Sequence, residues 1–308
     1  MKQPFFVNFL LLVLLASAPL FAQVTRSSDT KKLVIVAGKP SHPPRMHEFN
    51  AGVQLLHACL SDMDGLETRF VLNGWPKDEA IFDNADAVVF YMDGGGGHEV
   101  VQQGRRRLDM VNQWARNGMG LGFMHFGVEV VPDQAGAEFK QWIGGHYEHM
   151  FSCNPIWEPS FSDFPDHPIT RGVQPFQVKD EWYFNMRFLG NSPGNEAFES
   201  DGLQFWPILV AKPSDQVRNG PYVYPKGPYT HIQDASGRPE AMMWAVERND
   251  KGRGFGFTGG HFHDNWANDY FRKVVLNAML WISHVEVPAD GVQSTVTRPQ
   301  LDANLDPK

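Results

Sequence analysis

Gly118-Met-Gly-Leu-Gly-Phe-Met-His125-Phe-Gly-Val-Glu129 carries the signals that decide the fold. A short apolar run ends where small residues permit a tight bend, and the chain restarts as a helix with His125 at the bend. In an open α/β sheet, ligands and chemistry gather where a strand's carboxyl end meets a helix's amino end. Backbone N–H groups exposed there favour an anion or a developing negative charge. His125 therefore stands where other α/β enzymes hold a nucleophile.

Upstream, Lys32-Leu-Val-Ile-Val-Ala37 followed by Gly38-Lys-Pro40 reads as a strand buried on both faces and ended by a loop. Residues 47–60 place Phe49, Val53, Leu56 and Leu60 at helical spacing, with His47 and Glu48 in the opening turn. Residues 67–72 and 87–91 read as the next strands, with a turn or short helix at 76–83 between them. A helix over 100–115 should return the chain to the strand at 120–124, and this βαβ repeat implies a parallel sheet.

Downstream, residues 150–240 are rich in Pro, Asn, Asp and aromatics and read as long excursions, with a strand-like piece at 207–211. A hairpin of 241–246 and 254–257 around Asn249-Asp-Lys-Gly252 delivers Gly259-Gly-His261-Phe-His263-Asp264. Phe271, Val274, Ala278 and Trp281 then mark a last amphipathic helix, and the tail after Pro288 has no periodicity and reads as a surface extension. The expected class is α/β: three layers, a mostly parallel sheet flanked by helices in the flavodoxin-like manner, with long irregular excursions.

The chain has 308 residues, 42% apolar and 20% charged, which suits one large globular domain. A formal charge of -8 and a pI near 5.8 give no electrostatic case for nucleic acid. Arg105-Arg106-Arg107 reads as a solvated helix face. Lys2, the apolar run 9–18 and Ala22 before Gln23 read as a signal peptide over residues 1–22, so the protein is expected in the periplasm or secreted. An uncleaved anchor is the other reading; a cut after Ala18 is disfavoured by Pro19. Cys59 and Cys153 would be able to pair in an oxidising compartment, but Cys59 lies in an apolar helical pattern and reads as a free buried thiol.

Met92-Asp-Gly94-Gly95-Gly96-Gly97-His98 reads as a ligand-facing loop, since four glycines imply a sharp turn or a close approach. It has neither dinucleotide spacing nor a Gly-Lys-Ser/Thr ending, so no nucleotide cofactor is expected. Imidazole and carboxylate recur at predicted strand ends: His47 and Glu48, His98, His125 and Glu129, His146 and His149, Asp180 and Glu181, His261 and His263. This supply suits divalent-metal binding or proton transfer near neutral pH. One helical turn separates His125 from Glu129, and an extended segment would point His261 and His263 the same way. His167, in Asp166-His-Pro168, reads as structural, its ring capping backbone; His57 and His284 read as surface or edge residues.

In their order along residues 32–287, these pieces resemble the ThuA-like trehalose-utilisation family, whose fold is that of the class I glutamine amidotransferases. The resemblance rests on His47-Glu-Phe-Asn-Ala-Gly52, the glycine loop, Gly122-Phe-Met-His125, Trp142-Ile-Gly-Gly-His146-Tyr-Glu-His149, His167-Pro-Ile-Thr170, Asp180-Glu-Trp-Tyr183 and Gly259-Gly-His261. It implies a ThuA-like domain over 31–288 and an extension over 289–308. An amidotransferase holds a nucleophilic Cys at the elbow; here His125 stands there, with Gly94 to Gly97 at the oxyanion-loop position and His261 at the triad histidine's. Without the Cys no acyl-enzyme forms, so glutaminase activity is not expected.

The resemblance also implies a carbohydrate substrate, a keto-sugar or glycoside, and isomerisation, elimination or hydrolysis. Trp157, Trp182, Tyr183, Trp206 and Trp266 offer rings for stacking on sugars. The combined reading assigns His125, Glu129 and His261 to catalysis. Gly95, Gly96, Asp180, Glu181 and Trp182 are assigned to substrate, and His47, His149 and His263 to a divalent metal, zinc first. A partner sugar dehydrogenase would supply the keto-sugar, and the oligomeric state is left open. The rival readings are a non-catalytic sugar-binding or scaffolding protein and a metal-dependent hydrolase of an unrelated ester or amide.

Overall fold

A computed structural model describes residues 29–190 and 196–307, together with Met1; apart from Met1, the expected signal peptide lies outside the described residues. Eight strands form the main sheet: β1 (Lys31–Ala37), β2 (Leu66–Val71), β3 (Ala87–Tyr91), β4 (Gly120–Met124), β5 (Phe198–Ser200), β6 (Leu203–Ala211), β7 (Glu240–Arg248) and β8 (Arg253–Phe257). Their order is β5-β6-β7-β8-β4-β3-β1-β2. The run from β8 to β2 is parallel, while β5, β6 and β7 join antiparallel at the β8 edge. This is the mostly parallel, helix-flanked sheet that the βαβ pattern implied, with the predicted hairpin as β7 and β8.

Strand alternation produces the three layers. Leu33, Ile35, Ala87 and Val89 face helices α1 (Phe49–Leu60) and α4 (Asp269–Ile282). Val34, Val36, Val88 and Phe90 face α2 (Arg106–Arg116) and α3 (Ala137–Ile143). All eight of these side chains are fully buried, each contributing about 1.5–3 kcal/mol for the larger aliphatic and aromatic ones.

Three expectations need correction. The helix expected from residue 100 is a 3-10 turn, Glu99–Val101, then a break in which Gln103 and Gly104 take left-handed φ values of 60° and 62°, and only then α2. Arg107 does not belong to a solvated face: it is buried, paired with Glu99 and laid over the Trp75 ring. The tail after Pro288 is not merely a surface extension. Val292 and Leu301 are buried, and the short helix Arg298–Asp302 packs near α1. Its apolar residues are too far apart to register as a period.

The excursions are pinned by two-residue strand pairs, among them Ile156–Trp157 with Asp180–Glu181. Both cysteines are free.

Candidate active site

The site forms at the carboxyl ends of β1, β3, β4 and β8, where parallel strands leave a crevice. At the end of β4, His125 takes φ 52°, a left-handed conformation costly for a residue with a Cβ, and opens the 3-10 turn His125–Val128 rather than a long helix. The bend aims a fully buried imidazole inward. In the loop after β1, His47 has φ 47° and donates its backbone N–H to His261 O at 3.1 Å. The loop after β8 carries Thr258 and His261, and the excursion delivers Glu181 and Tyr183.

Hydrogen bonds to the far side of two rings define where their lone pairs point. His125 Nδ1 lies 2.9 Å from Thr258 O, a carbonyl that only accepts, so Nδ1 carries the proton and Nε2 the lone pair. His47 Nδ1 lies 2.9 Å from Asp93 Oδ1, which by the same reasoning leaves its Nε2 as an acceptor. The two Nε2 atoms are 2.9 Å apart. His47 Nε2 is also 3.0 Å from His261 Nδ1, which is 2.6 Å from Glu181 Oε2. Facing lone pairs at such separations require a proton or a cation between them.

The four ligand atoms of His47, His125, Glu181 and His261 lie within 4.8 Å of one another, and all four residues are buried. Nitrogens about 2.0–2.1 Å from one zinc, the ordinary bond length, fall at comparable mutual separations. Asp93 behind His47 and the Thr258 carbonyl behind His125 are the outer partners that metal-bound imidazoles use to hold tautomer and orientation. The residues present therefore fit a divalent ion.

Electrostatics agree with this arrangement. Burial, reinforced by His47 and His261, holds the His125 imidazole well below the ordinary histidine range, so it is neutral and ligand-ready. Burial pushes the Glu181 carboxyl up, opposed by its hydrogen bond from His261. Burial, with Glu181 nearby, raises Glu129 to about 7. The Tyr183 hydroxyl oxygen lies 3.2 Å from His125 Nε2, and burial holds its pKa well above the ordinary phenol range. His47, Glu181, Tyr183 and Glu129 open onto a cavity of about 300 Å³ whose other walls include His42, Phe126, Asn154, His149 and Tyr224.

The sequence-predicted residues divide accordingly. His125, His261 and Glu181 come together with His47, and Glu129 reaches the same cavity. His149 is exposed on the cavity wall and lies outside the four-residue group, its ring 5.7 Å from Tyr224. His263 is buried elsewhere, its Nε2 on Leu301 O at 2.9 Å. The extended alternation that would have aligned it with His261 ends where the 3-10 turn His263–Ala267 begins.

Asp180 and Trp182 face away from the cavity while Glu181 and Tyr183 face it, as alternation along an extended segment requires. The Asp180 carboxylate accepts N–H groups from Gly260 at 2.8 Å and His261 at 3.1 Å, so it shapes the His261 loop. Trp182 is fully buried against Phe161, Phe257 and Phe271. Gly95 lies against Glu129, donating its N–H to Glu129 O at 2.8 Å, and Gly96 is exposed; neither is among the cavity-lining residues.

His98 ties the glycine loop to the elbow through Gly127 O, 3.0 Å from Nε2, and accepts the Val100 N–H. His167 caps the Ile169 N–H, as read from sequence. Sequence reasoning missed His42, stacked on His47 with centroids 3.6 Å apart, and Asp93. Their position just past the ends of β1 and β3 was the available signal.

Residues 34–282 match the family named ThuA, described as trehalose utilisation. A comparison with curated proteins found no match. Among solved structures, a ThuA-like protein from Parabacteroides merdae is 15% identical, with 87% of this chain and 94% of that chain covered and a TM-score of 0.53. One from Bacteroides uniformis is 14% identical, with 84% and 94% covered and a TM-score of 0.55. These two share the fold of this chain.

Proposed function

This chain belongs to the ThuA family, and from that premise we propose that it is an exported enzyme acting on a keto-sugar or glycoside by isomerisation, elimination or hydrolysis. His47, His125, His261 and Glu181 would hold a divalent metal, zinc first, for the reaction. The observation that carries the proposal is the convergence of three buried imidazole nitrogens and one carboxylate oxygen beside a cavity that also receives Glu129 and Tyr183.

A divalent metal bound there supplies Lewis acidity toward a sugar carbonyl or hydroxyl. Glu129, with its pKa near 7, exchanges a proton with the adjacent carbon or leaving oxygen at neutral pH. Tyr183 and Asn154 offer hydrogen bonds to substrate hydroxyls, and the rings of Phe126 and Tyr224 offer apolar faces for a pyranose. Position 125 carries an imidazole where an amidotransferase carries its thiol, so the proposal includes no glutaminase activity through a cysteine at the elbow. Export rests on the amino-terminal apolar run.

Keto-sugars, glycosides and acyl substrates assayed side by side test the proposal. Turnover of a sugar that falls by at least about 10²-fold in Glu129→Gln supports it. Turnover confined to esters or amides contradicts it, as does sugar binding with no turnover and no effect of Glu129→Gln.

A further inference from the structure

The last residues of the described chain reach back to both turns that carry the central histidines. Asp306 donates its backbone N–H to Glu48 Oε2 at 2.7 Å, and its carboxylate receives Asn50 Nδ2 at 2.6 Å; both partners closely follow His47 in sequence. Glu48 in turn accepts the Arg45 N–H at 2.7 Å, closing the turn in which Arg45 and His47 both have positive φ. Leu301 is buried, and its carbonyl accepts His263 Nε2 at 2.9 Å. Asp302 binds Arg45 at 2.9 Å and Arg298 at 2.8 Å, while Arg45 and Arg298 both bind Asp264.

We propose that residues 297–306 form a positioning strap for the His47–His261 centre, holding in register the turn 45–48 and the turn 261–264. The two turns meet directly through the pair of backbone bonds that makes the Met46–Phe262 bridge, His47 N–H to His261 O and His263 N–H to Arg45 O, through the Arg45–Asp264 ion pair, and through the contact of His47 Nε2 with His261 Nδ1. Left-handed φ values at Arg45 and His47 are conformations that a free loop would leave. The strap adds ties on both sides of that junction. The consequence for a ligand set is large, because groups that orient metal ligands from outside are worth 10- to 100-fold in affinity. The strap acts through His47 and His261 and touches no reacting atom.

The consequence for metal affinity rests on the metal reading above; the consequence for the turns does not. The test uses two proteins, a chain ending at residue 296 and the full chain with Arg298→Gln and Asp302→Asn, both exposed positions whose change should leave the fold intact. Amide hydrogen exchange of the metal-free proteins, read at Arg45, His47 and His263, is compared with that at Val34 and Val88 in the core. Zinc affinity is then measured by chelator competition.

The strap predicts faster exchange at the three turn amides with core amides unchanged, and zinc affinity lowered by about tenfold or more in the truncated chain and less in the double variant. Unchanged turn exchange in both proteins overturns the strap, as does unchanged zinc affinity in a truncated chain that remains folded. Uniformly faster exchange, core included, in the double variant would also overturn it by showing a general contribution to stability. Faster turn exchange in a protein whose intact form takes no zinc would support the strap and refute the metal reading alone.

Discussion

Gly94 and Gly97 lie three residues apart in one loop, and the same methyl group added to each should have opposite effects. At Gly94 a Cβ would stand 2.0 Å from Phe126 O and 2.7 Å from Glu129 O. Both atoms are backbone of the turn that seats His125, so relief requires that turn or the glycine loop to move by about an ångström. The cost should reach or exceed the upper end of the roughly 1–3 kcal/mol typical of overpacking. At Gly97 a Cβ meets nothing within 4 Å and φ is not left-handed, so Ala should be neutral or stabilise by about 0.4–1 kcal/mol through the unfolded chain. Urea unfolding of metal-free Gly94→Ala and Gly97→Ala measures the difference, and zinc competition reports whether displacement of the elbow reaches His125. Variants equal in stability and affinity would refute the claim that Gly94 is there for close approach of the loop to the elbow.

Two further perturbations have definite signs. His98 is fully buried, and burial lowers its pKa to about 4. The unfolded chain therefore binds more protons between about pH 6.5 and 4, and stability complete above 6.5 is lost as pH falls through that window, by about 3 kcal/mol in all. Urea unfolding of the metal-free protein across this range should show a shallower pH dependence in His98→Gln; parallel curves would contradict the assignment. Asp180→Asn should destabilise by about 2–4 kcal/mol, because a buried amide cannot replace a carboxylate that accepts the Gly260, His261 and Glu181 N–H groups. Thermal unfolding checks this, and a variant as stable as wild type would place those donors elsewhere.

What was legible in the sequence follows from where periodicity survives. Buried strands such as Val34 to Val36 and Ala87 to Tyr91 announce themselves because both faces must be apolar, and the α4 stripe of Phe271, Val274, Ala278 and Trp281 because one must be. Strand ends could then be located, and with them His47, His125 and His261. The parity of residues 180–183 could not: a two-residue strand inside an aromatic-rich excursion has no flanking alternation, so Glu181 and Asp180 were indistinguishable. His263 was paired with His261 on a spacing that holds only while the chain stays extended, and the 3-10 turn at His263 breaks it. The strap was invisible because its ties are polar contacts across some 250 residues of sequence, as between Asp306 and Glu48.

Metal content is the most direct test of the account. The mature protein, purified without a histidine tag and supplied with divalent ions, should carry about one metal ion per chain, as a single three-histidine, one-carboxylate site requires. It should lose that metal in His125→Ala and His261→Ala and keep it in His149→Ala and His263→Ala. A wild-type protein that takes up no metal, or a His149→Ala variant that loses it while His125→Ala does not, would contradict the site described here.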